Sequence, residues 1–473
     1  MLCNSNKHSI FAASKQLIAM LERKITPHLQ SFLENNPYKI MLLNGARQIG
    51  KSFIIRHVGR QMFSNFVEID LRADKEGAKV FADVRTTDDF YLQLSIIAGG
   101  RLGDRSDTLV FLDEIQSYPH LLTMLKFLNQ EARYRYIASG SQLGIALAKS
   151  TSVPLGSVEI QRMYPLDFEE FLWAMGVGKE ALGNVQNSFS ERLSLNESTH
   201  NYILKLFRYY LMVGGLPDAV NAFVLNRNIV DVRKIQADVH ELYGIDASQY
   251  DEENRLKIRK IYNLIPSVLE NKKKRIVVKN IEHKAGKQFS DYQDEFEYLI
   301  ESSIALDVNA VSNPRFPIIE SQTKNLLKLY LNDVGILTEL LYSYNANAIL
   351  QDERSVNLGT VYESVVAQEL RAHGYERLFY YDNKQHGEVD FLIDNYDTLS
   401  VIPIEVKSGK DYYVHSALSH FVNTKDYHVK EAIAFSNERE VRRNGKIIYM
   451  PVYYVMFLQK STAADLILPM PTI

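Results

Sequence analysis

Cysteine is nearly absent from this chain. The single thiol, Cys3, excludes an intrachain disulfide framework and leaves no Cys/His set for a structural metal, so a reducing interior is the expected home. No run approaches the roughly 20 consecutive apolar residues that cross a bilayer, and the N-terminus holds no long apolar region. A soluble, cytoplasmic protein with no membrane partner is expected. An excess of one charge is also lacking. Lys and Arg number 54 against 57 Asp and Glu, and the net charge of −3 gives no overall reason to bind nucleic acid or an anionic membrane, although local patches stay open to either. There is no internal repeat and no low-complexity tract. At 473 residues the chain exceeds what one core supports, so two to four domains are expected.

What is present begins at Gly45. The run Gly45-Ala46-Arg47-Gln48-Ile49-Gly50-Lys51-Ser52 fits the phosphate-binding pattern G-x-x-x-x-G-K-[ST]. Its context fits too: Ile40-Met41-Leu42-Leu43 reads as a buried strand before it, and residues 52–58 read as the start of a helix after it. Glycines let the backbone curl until several N–H groups converge on phosphate oxygens at the helix N-terminus. Lys51 would reach the β- and γ-phosphates, and the Ser52 hydroxyl would ligate Mg²⁺.

Such a loop calls for an acid at the end of a second buried strand. Thr108-Leu109-Val110-Phe111-Leu112-Asp113-Glu114 supplies one, with Asp113 as the Walker B aspartate and Glu114 as a base for the attacking water. Taken alone, the Asp-Glu pair could be a helix cap; its place after four apolar residues and downstream of the loop favours the site. Ser141 and Gln142, ending the apolar run at 134–138, are candidates for the sensor beside the γ-phosphate, and turn chemistry is their competing explanation. Further strand-like runs at 66–71 and 158–163, with helical segments between, predict an α/β fold with a parallel sheet. The extra strand between loop and Walker B acid is the build of additional-strand ATPases. Arg162, Arg208 or a neighbouring subunit's arginine could supply a transition-state cation, and the sequence does not choose.

Downstream the pattern turns helical. Residues 11–35 already read as helix, and helical periodicity returns after Pro165, through 202–213 and 256–269. A basic cluster, Lys272-Lys273-Lys274-Arg275, reads as a solvated loop rather than a DNA contact. Ser290 and Gln293 suggest a capping box for a helix over 290–303, whose Asp291, Asp294, Glu295 and Glu297 would repel phosphate.

Several of these motifs together resemble a family of prokaryotic AAA-like ATPases. They are the P-loop, Leu112-Asp113-Glu114-Ile115-Gln116, Ser139-Gly140-Ser141-Gln142 and Pro165-Leu166-Asp167-Phe168-Glu169-Glu170-Phe171. Gly214-Gly215-Leu216-Pro217 and Lys328-Leu329-Tyr330-Leu331-Asn332-Asp333-Val334-Gly335 extend the match over most of the chain. The resemblance implies ATP and Mg²⁺ as cofactors and an AAA-like P-loop NTPase core over 1–165. It implies a helical, winged-helix-like region over 166–345 and an α/β domain of uncharacterised role over 346–473. AAA relatives often form rings, so an oligomer is an expectation as well. Two departures stand out. Ser52 replaces the family's threonine and keeps the hydroxyl, and Gly156-Ser157 stands where relatives carry Gly-Arg, which leaves that arginine's task vacant or moved to Arg162.

The last hundred residues carry a second constellation. Gly387-Glu388-Val389-Asp390-Phe391 and Pro403-Ile404-Glu405-Val406-Lys407 alternate like strands, with Glu388 and Asp390 on one face and Glu405 and Lys407 on one face. If the strands pair, Asp390, Glu405 and Lys407 converge as in PD-(D/E)xK nucleases, a restriction-endonuclease-like fold. There, two carboxylates hold a divalent ion and the lysine positions water. Glu363 would add a helical acid. A cross-strand salt bridge is the plain alternative. The expected function is a Mg·ATP-hydrolysing ATPase, using Lys51, Glu114 and Gln142, whose nucleotide state is coupled to the nuclease-like domain. The alternatives are an ATP-regulated DNA nuclease, and a nucleotide-dependent switch that binds a partner protein.

Overall fold

A computed structural model describes residues 20–36, 38–149, 156–249, 255–271, 273–282, 286–351, 358–408 and 416–460. Of the expected 11–35 helix, residues 11–19 lie outside the described residues, 20–24 are described but not helical, and Ile25–Asn35 forms the helix; Pro37 and Lys272 also lie outside the described residues. The chain forms two compact units interleaved in sequence. Unit 1 comprises Met1–Val177, Val213–Tyr262 and Tyr292–Ala305, and unit 2 comprises Gly178–Met212, Asn263–Asp291 and Leu306–Ile473.

Unit 1 is built on five parallel strands: β1 (Ile40–Asn44), β2 (Asn65–Asp70), β3 (Thr108–Asp113), β4 (Arg135–Gly140) and β5 (Val158–Arg162). They lie in the order β2-β3-β4-β1-β5. Every residue of β1 and β3 is buried, the pattern of strands covered on both faces. Their Leu42, Val110 and Leu112 share one core with Ala138, Phe90 and Leu125. The register sets Asn44 beside Gly140 and Leu112 beside Ala138, which brings the loops after β1, β3 and β4 to one end of the sheet. The strand expected between the P-loop and the Walker B acid is β2.

The helices of 213–262 and 292–305 also belong to unit 1. Among them, Gln293–Glu301 starts differently from the expected Ser290 capping box. A 3₁₀ turn (Phe289–Tyr292) precedes it, and Tyr292 stands at the N-cap without a side-chain capping bond. Burial of Tyr292, Phe296 and Leu299 sets where this helix begins instead.

Unit 2 holds an eight-stranded mixed sheet. Its strands are β6 (Ala305–Val311), β7 (Gln322–Leu331), β8 (Leu378–Asn383), β9 (Gly387–Asn395), β10 (Ser400–Val406), β11 (Ala432–Ser436), β12 (Arg442–Asn444) and β13 (Ile447–Pro451). They are ordered β12-β13-β11-β10-β9-β8-β6-β7. The helix Leu358–Ala372 leads into β8, β9 and β10, paired antiparallel; the helix Ser416–Asn423 then leads into β11, which runs parallel to β10. The strands that follow the helices of the expected winged-helix-like region, β6 and β7, are members of this large sheet, and burial along β6 ties them to it. No helix among the described residues is long and apolar enough to cross a membrane.

Candidate functional sites

The P-loop joins β1 to the helix Lys51–Met62, which is anchored by buried Ile54, Ile55 and Val58. Two glycines are required by its geometry. A Cβ on Gly45 would fall 2.3 Å from the Met163 carbonyl oxygen, and Gly50 holds a left-handed φ of +93° at the helix N-cap. Gln48 is left-handed too, at φ 62°. The loop is braced from outside by buried Arg23, which donates to the Ile49 carbonyl at 3.0 Å and the Tyr164 carbonyl at 2.7 Å and pairs with Glu170 at 3.1 Å.

Lys51 Nζ donates to the carbonyls of Gly45 at 2.8 Å and Ala46 at 2.7 Å. Burial pushes its pKa down to about 8, with Glu114 and Asp113 pulling the other way. Ser52 Oγ donates to Asp113 Oδ2 at 2.6 Å, and Ser139 Oγ donates to Asp113 Oδ1. Burial still raises the Asp113 pKa above the usual range, against those two hydroxyls. At Glu114, burial is outweighed by Lys51, by the Gln116 amide, by Arg47 and by the Ser141 hydroxyl, so its carboxylate is favoured. Ser141 Oγ donates to Glu114 Oε2 at 3.0 Å, and Gln116 Nε2 donates to the same oxygen. Glu114 itself sits left-handed at φ 52°, a conformation that costs a non-glycine residue energy and recurs at working sites.

The loop, Asp113 and Glu114 therefore come together. Gln142 does not join the carboxylates: its Nε2 donates to the Tyr298 hydroxyl at 2.9 Å, because the chain turns away after Ser141 into the next helix. Ser139 holds the Walker B acid in its place. Ser139 was not singled out by sequence, although a serine closing an apolar strand two residues before Ser141 was the available signal. Arg162 pairs with Glu301 at 3.4 Å, while Arg208 belongs to unit 2 and donates to the Leu350 carbonyl.

Whether Mg²⁺ fits can be judged from the donors. Ser52 and Asp113 present hard oxygens side by side at the helix N-terminus, the set that a small divalent ion takes with phosphate oxygens. Beside the loop opens a cavity of about 210 Å³, lined by Leu21, Phe53, Ile54 and Pro217 and by Asp218 and Asn221. Asn221 is 8% exposed and its Oδ1 has no hydrogen-bond partner.

Unit 2 assembles the second constellation. Asp390 on β9 accepts from the Val406 N–H of β10 at 2.8 Å, and Lys407 pairs with Glu405 at 2.7 Å. Glu363, on the helix Leu358–Ala372, accepts from the Tyr330 hydroxyl at 3.2 Å and from Lys274. Burial first, then the charges of Glu363 and Glu405, raise the Asp390 pKa well above the usual range. Burial also raises the Glu405 pKa, opposed by Lys407. Even so, among the described residues no three His, Cys, Asp or Glu side chains are placed to hold a metal ion. The Glu405 side chain is buried and its Oε2 has no hydrogen-bond partner.

Three cations in this cluster were not anticipated there. Lys274, expected in a solvated basic loop, takes a left-handed backbone at φ 46° and pairs with Glu363. Arg275 beside it pairs with Asp382 at 2.5 Å. Lys328 of β7 is 0% exposed, pairs with Glu388 and lies 4.4 Å from the centre of the Tyr380 ring. A lone lysine inside the apolar run Leu326-Leu327-Lys328-Leu329 was the signal for it.

Comparison with known proteins gives three successive matches along the chain, the middle one drawing on both units. Residues 37–172 match a family profile described as an AAA domain, 204–346 a domain of unknown function (DUF8612), and 358–455 another (DUF4143). No curated protein matches the chain significantly. Among solved structures, the chain is similar to the Walker-type ATPase PABY2304 of Pyrococcus abyssi, at 15% identity over 68% of this chain and 96% of that one, with a TM-score of 0.40. It is also similar to Cdc6p from Pyrobaculum aerophilum, at 12% identity over 71% and 96%, TM-score 0.26. The Thermotoga maritima RuvB Holliday junction branch migration motor matches at 14% identity over 60% and 89%, TM-score 0.28. The stretch that matches the AAA domain profile, residues 37–172, holds the P-loop and the parallel sheet.

Proposed function

We propose that unit 1 is an ATPase that binds Mg·ATP on the P-loop and hydrolyses its γ-phosphate with Glu114 orienting the attacking water. The observation that carries this reading is the hydroxyl network at the end of the sheet: Ser52 and Ser139 on Asp113, and Ser141 on Glu114. It fixes one acid beside the helix N-terminus and orients the other, whose carboxylate form is favoured, against burial, chiefly by Lys51, as a base requires. Ser52 and Asp113 would hold the magnesium, which when bound neutralises charge on the β- and γ-phosphates. Lys51 would contact the phosphates as a cation, and the cavity at Phe53 and Pro217 would seat the base. Turnover in unit 1 is taken to be read by unit 2, since one chain crosses between them after residues 177, 212, 262, 291 and 305. Phosphate release should fall about a hundredfold or more in Lys51→Ala and Glu114→Gln, the latter still binding ATP. Equal rates in wild type and Lys51→Ala would end this reading.

A second reading concerns unit 2, as a divalent-metal-dependent nuclease acting on DNA under control of unit 1. What favours it is the succession of helix, three antiparallel strands, helix and parallel strand, carrying Glu363, Asp390, Glu405 and Lys407. The unpartnered Oε2 of buried Glu405 adds to it. Asp390 and Glu405 would hold the ion, and Lys407 would position water. Mn²⁺-dependent cleavage of linear, nicked or branched DNA is expected, and Glu405→Ala and Lys407→Ala should abolish it. A wild-type protein that cuts none of them would leave unit 2 as a partner-binding module without chemistry.

A further inference from the structure

Hydrolysis of a γ-phosphate builds negative charge that a positioned cation must meet, and an arginine in that role is commonly worth about 10³–10⁵ in rate. The two intrachain candidates read from sequence are engaged elsewhere: Arg162 with Glu301, and Arg208 with the Leu350 carbonyl of unit 2. We propose that Arg47, the third residue of the P-loop, is the cation for the transferred phosphoryl group, supplied by the nucleotide's own cradle and aimed by Asp246. The proposal rests on the ATPase reading of unit 1.

Three observations place Arg47 there. Its side chain is 16% exposed, and its Nε donates to Ser141 Oγ at 3.4 Å, the hydroxyl that itself donates to Glu114. One hydroxyl thus separates the guanidinium from the base. Its positive charge acts on both Lys51 and Glu114, the two groups that flank the γ-phosphate in such a site. Its Nη1 pairs with Asp246, and among the described residues Nη2 has no hydrogen-bond partner, which leaves an N–H edge for a phosphate oxygen. A guanidinium presents its donors in a planar fork, so holding one arm fixes the direction of the rest.

The holder is itself held. The helix Ile229–Gln249 grips Arg47 twice from one face: Tyr243 Oη donates to the Arg47 carbonyl at 2.7 Å, and Asp246, three residues on, takes the side chain. Tyr298 Oη donates to the Asp246 carbonyl at 3.0 Å while accepting from Gln142. Gln142 thereby gains a role that sequence did not assign, as part of the brace behind Asp246. In the reaction, the water oxygen bonds to Pγ as the bond from Pγ to the β–γ bridging oxygen breaks. The water's proton passes to Glu114 and on to the released phosphate, and Arg47 meets the charge spread over the γ-oxygens. ADP and inorganic phosphate leave.

The test separates chemistry from binding and from folding. Single-turnover hydrolysis, equilibrium binding of a non-hydrolysable ATP analogue, and trapping of Mg·ADP by aluminium fluoride would be measured on Arg47→Ala, Arg47→Lys and Asp246→Asn. Arg47→Ala should lose about 10²–10³-fold in rate and lose fluoride trapping, with analogue affinity changed less than about fivefold. Arg47→Lys should restore part of the rate, and Asp246→Asn should lose about tenfold with Arg47 present but unaimed. A rate within threefold of wild type in Arg47→Ala would overturn the proposal. So would a loss of affinity as large as the loss of rate, the mark of a structural ion pair. Should Lys51→Ala also turn over like wild type, it is the ATPase reading itself that fails.

Discussion

The proposed nucleotide site of unit 1 and the carboxylate cluster of unit 2 use similar groups in opposite ways. In unit 1, the hydrogen bonds to Asp113 and Glu114 come from neutral donors, the hydroxyls of Ser52, Ser139 and Ser141 and the Gln116 amide, with Arg56 4.0 Å from Asp113 as the one ion pair among the described residues, and Lys51 is held by carbonyls. In unit 2, Glu363, Glu388 and Glu405 are each met by a lysine: Lys274, Lys328 and Lys407. A site built on neutral donors leaves its charges to be answered by what binds. A site built on ion pairs is already largely neutral, so a ligand there has to compete with the protein's own cations. The difference bears on how each unit balances stability against function.

The sharpest way to break this comparison is to remove one buried lysine from each unit. Lys328→Met leaves Glu388 without its lysine and deprives the neighbouring Asp390 of a cation that favours its ionised form. Breaking one side of a buried pair costs about 3 kcal/mol. Lys51→Met should act in the other direction. Burial holds the Lys51 pKa near 8, a shift that corresponds to a gross cost of about 3 kcal/mol for keeping the charge. Losing the bonds to Gly45 and Ala46 gives back about 1 kcal/mol each, so a net gain of about 1 kcal/mol is expected. The only tryptophan, Trp173, lies in unit 1, so its fluorescence in urea follows that unit, while hydrogen exchange along β10 follows unit 2. Destabilisation of both units to the same degree would erase the distinction.

The contrast also explains what the sequence made legible. The P-loop, Asp113 and Glu114 lie within contiguous motifs whose spacing is set by backbone geometry, and the structure brings them together. The sheet of unit 1 was readable because β1 and β3 are unbroken apolar runs. Gln142 was read toward the phosphate because a sequence shows where a strand ends, not which way the chain turns next. Asp246 and Tyr243 reach Arg47 across 199 and 196 residues, and Tyr298 reaches Asp246 across 52, with no motif to mark them. Lys274 looked like part of a solvated basic run because nothing local announces that Glu363, 89 residues on, receives it.

A finer test of the comparison is the pH dependence of unit 2. Asp390 and Glu405 both have pKa values raised in the folded state, chiefly by burial, with Glu363 adding repulsion and Lys328, Lys274 and Lys407 opposing it. A carboxyl with a raised folded pKa keeps its proton where the unfolded chain has lost it. Stability is therefore highest below the unfolded values, near pH 4, and falls as pH rises through the folded ones. The lysines act in another window. Burial lowers Lys274 and Lys407, but their carboxylate partners outweigh it and raise both, so their contribution is complete at neutral pH and is lost only above the ordinary lysine range. Between the ordinary carboxylate and lysine ranges the acids set the slope, and the pair titrates as one coupled system. Hydrogen-exchange stability of β10 should decline across that interval in wild type. Asp390→Asn, which removes the most strongly raised acid, should flatten the decline. A slope unchanged by the substitution would mean that the lysines already neutralise the cluster, and that nothing is left there for a divalent ion to answer.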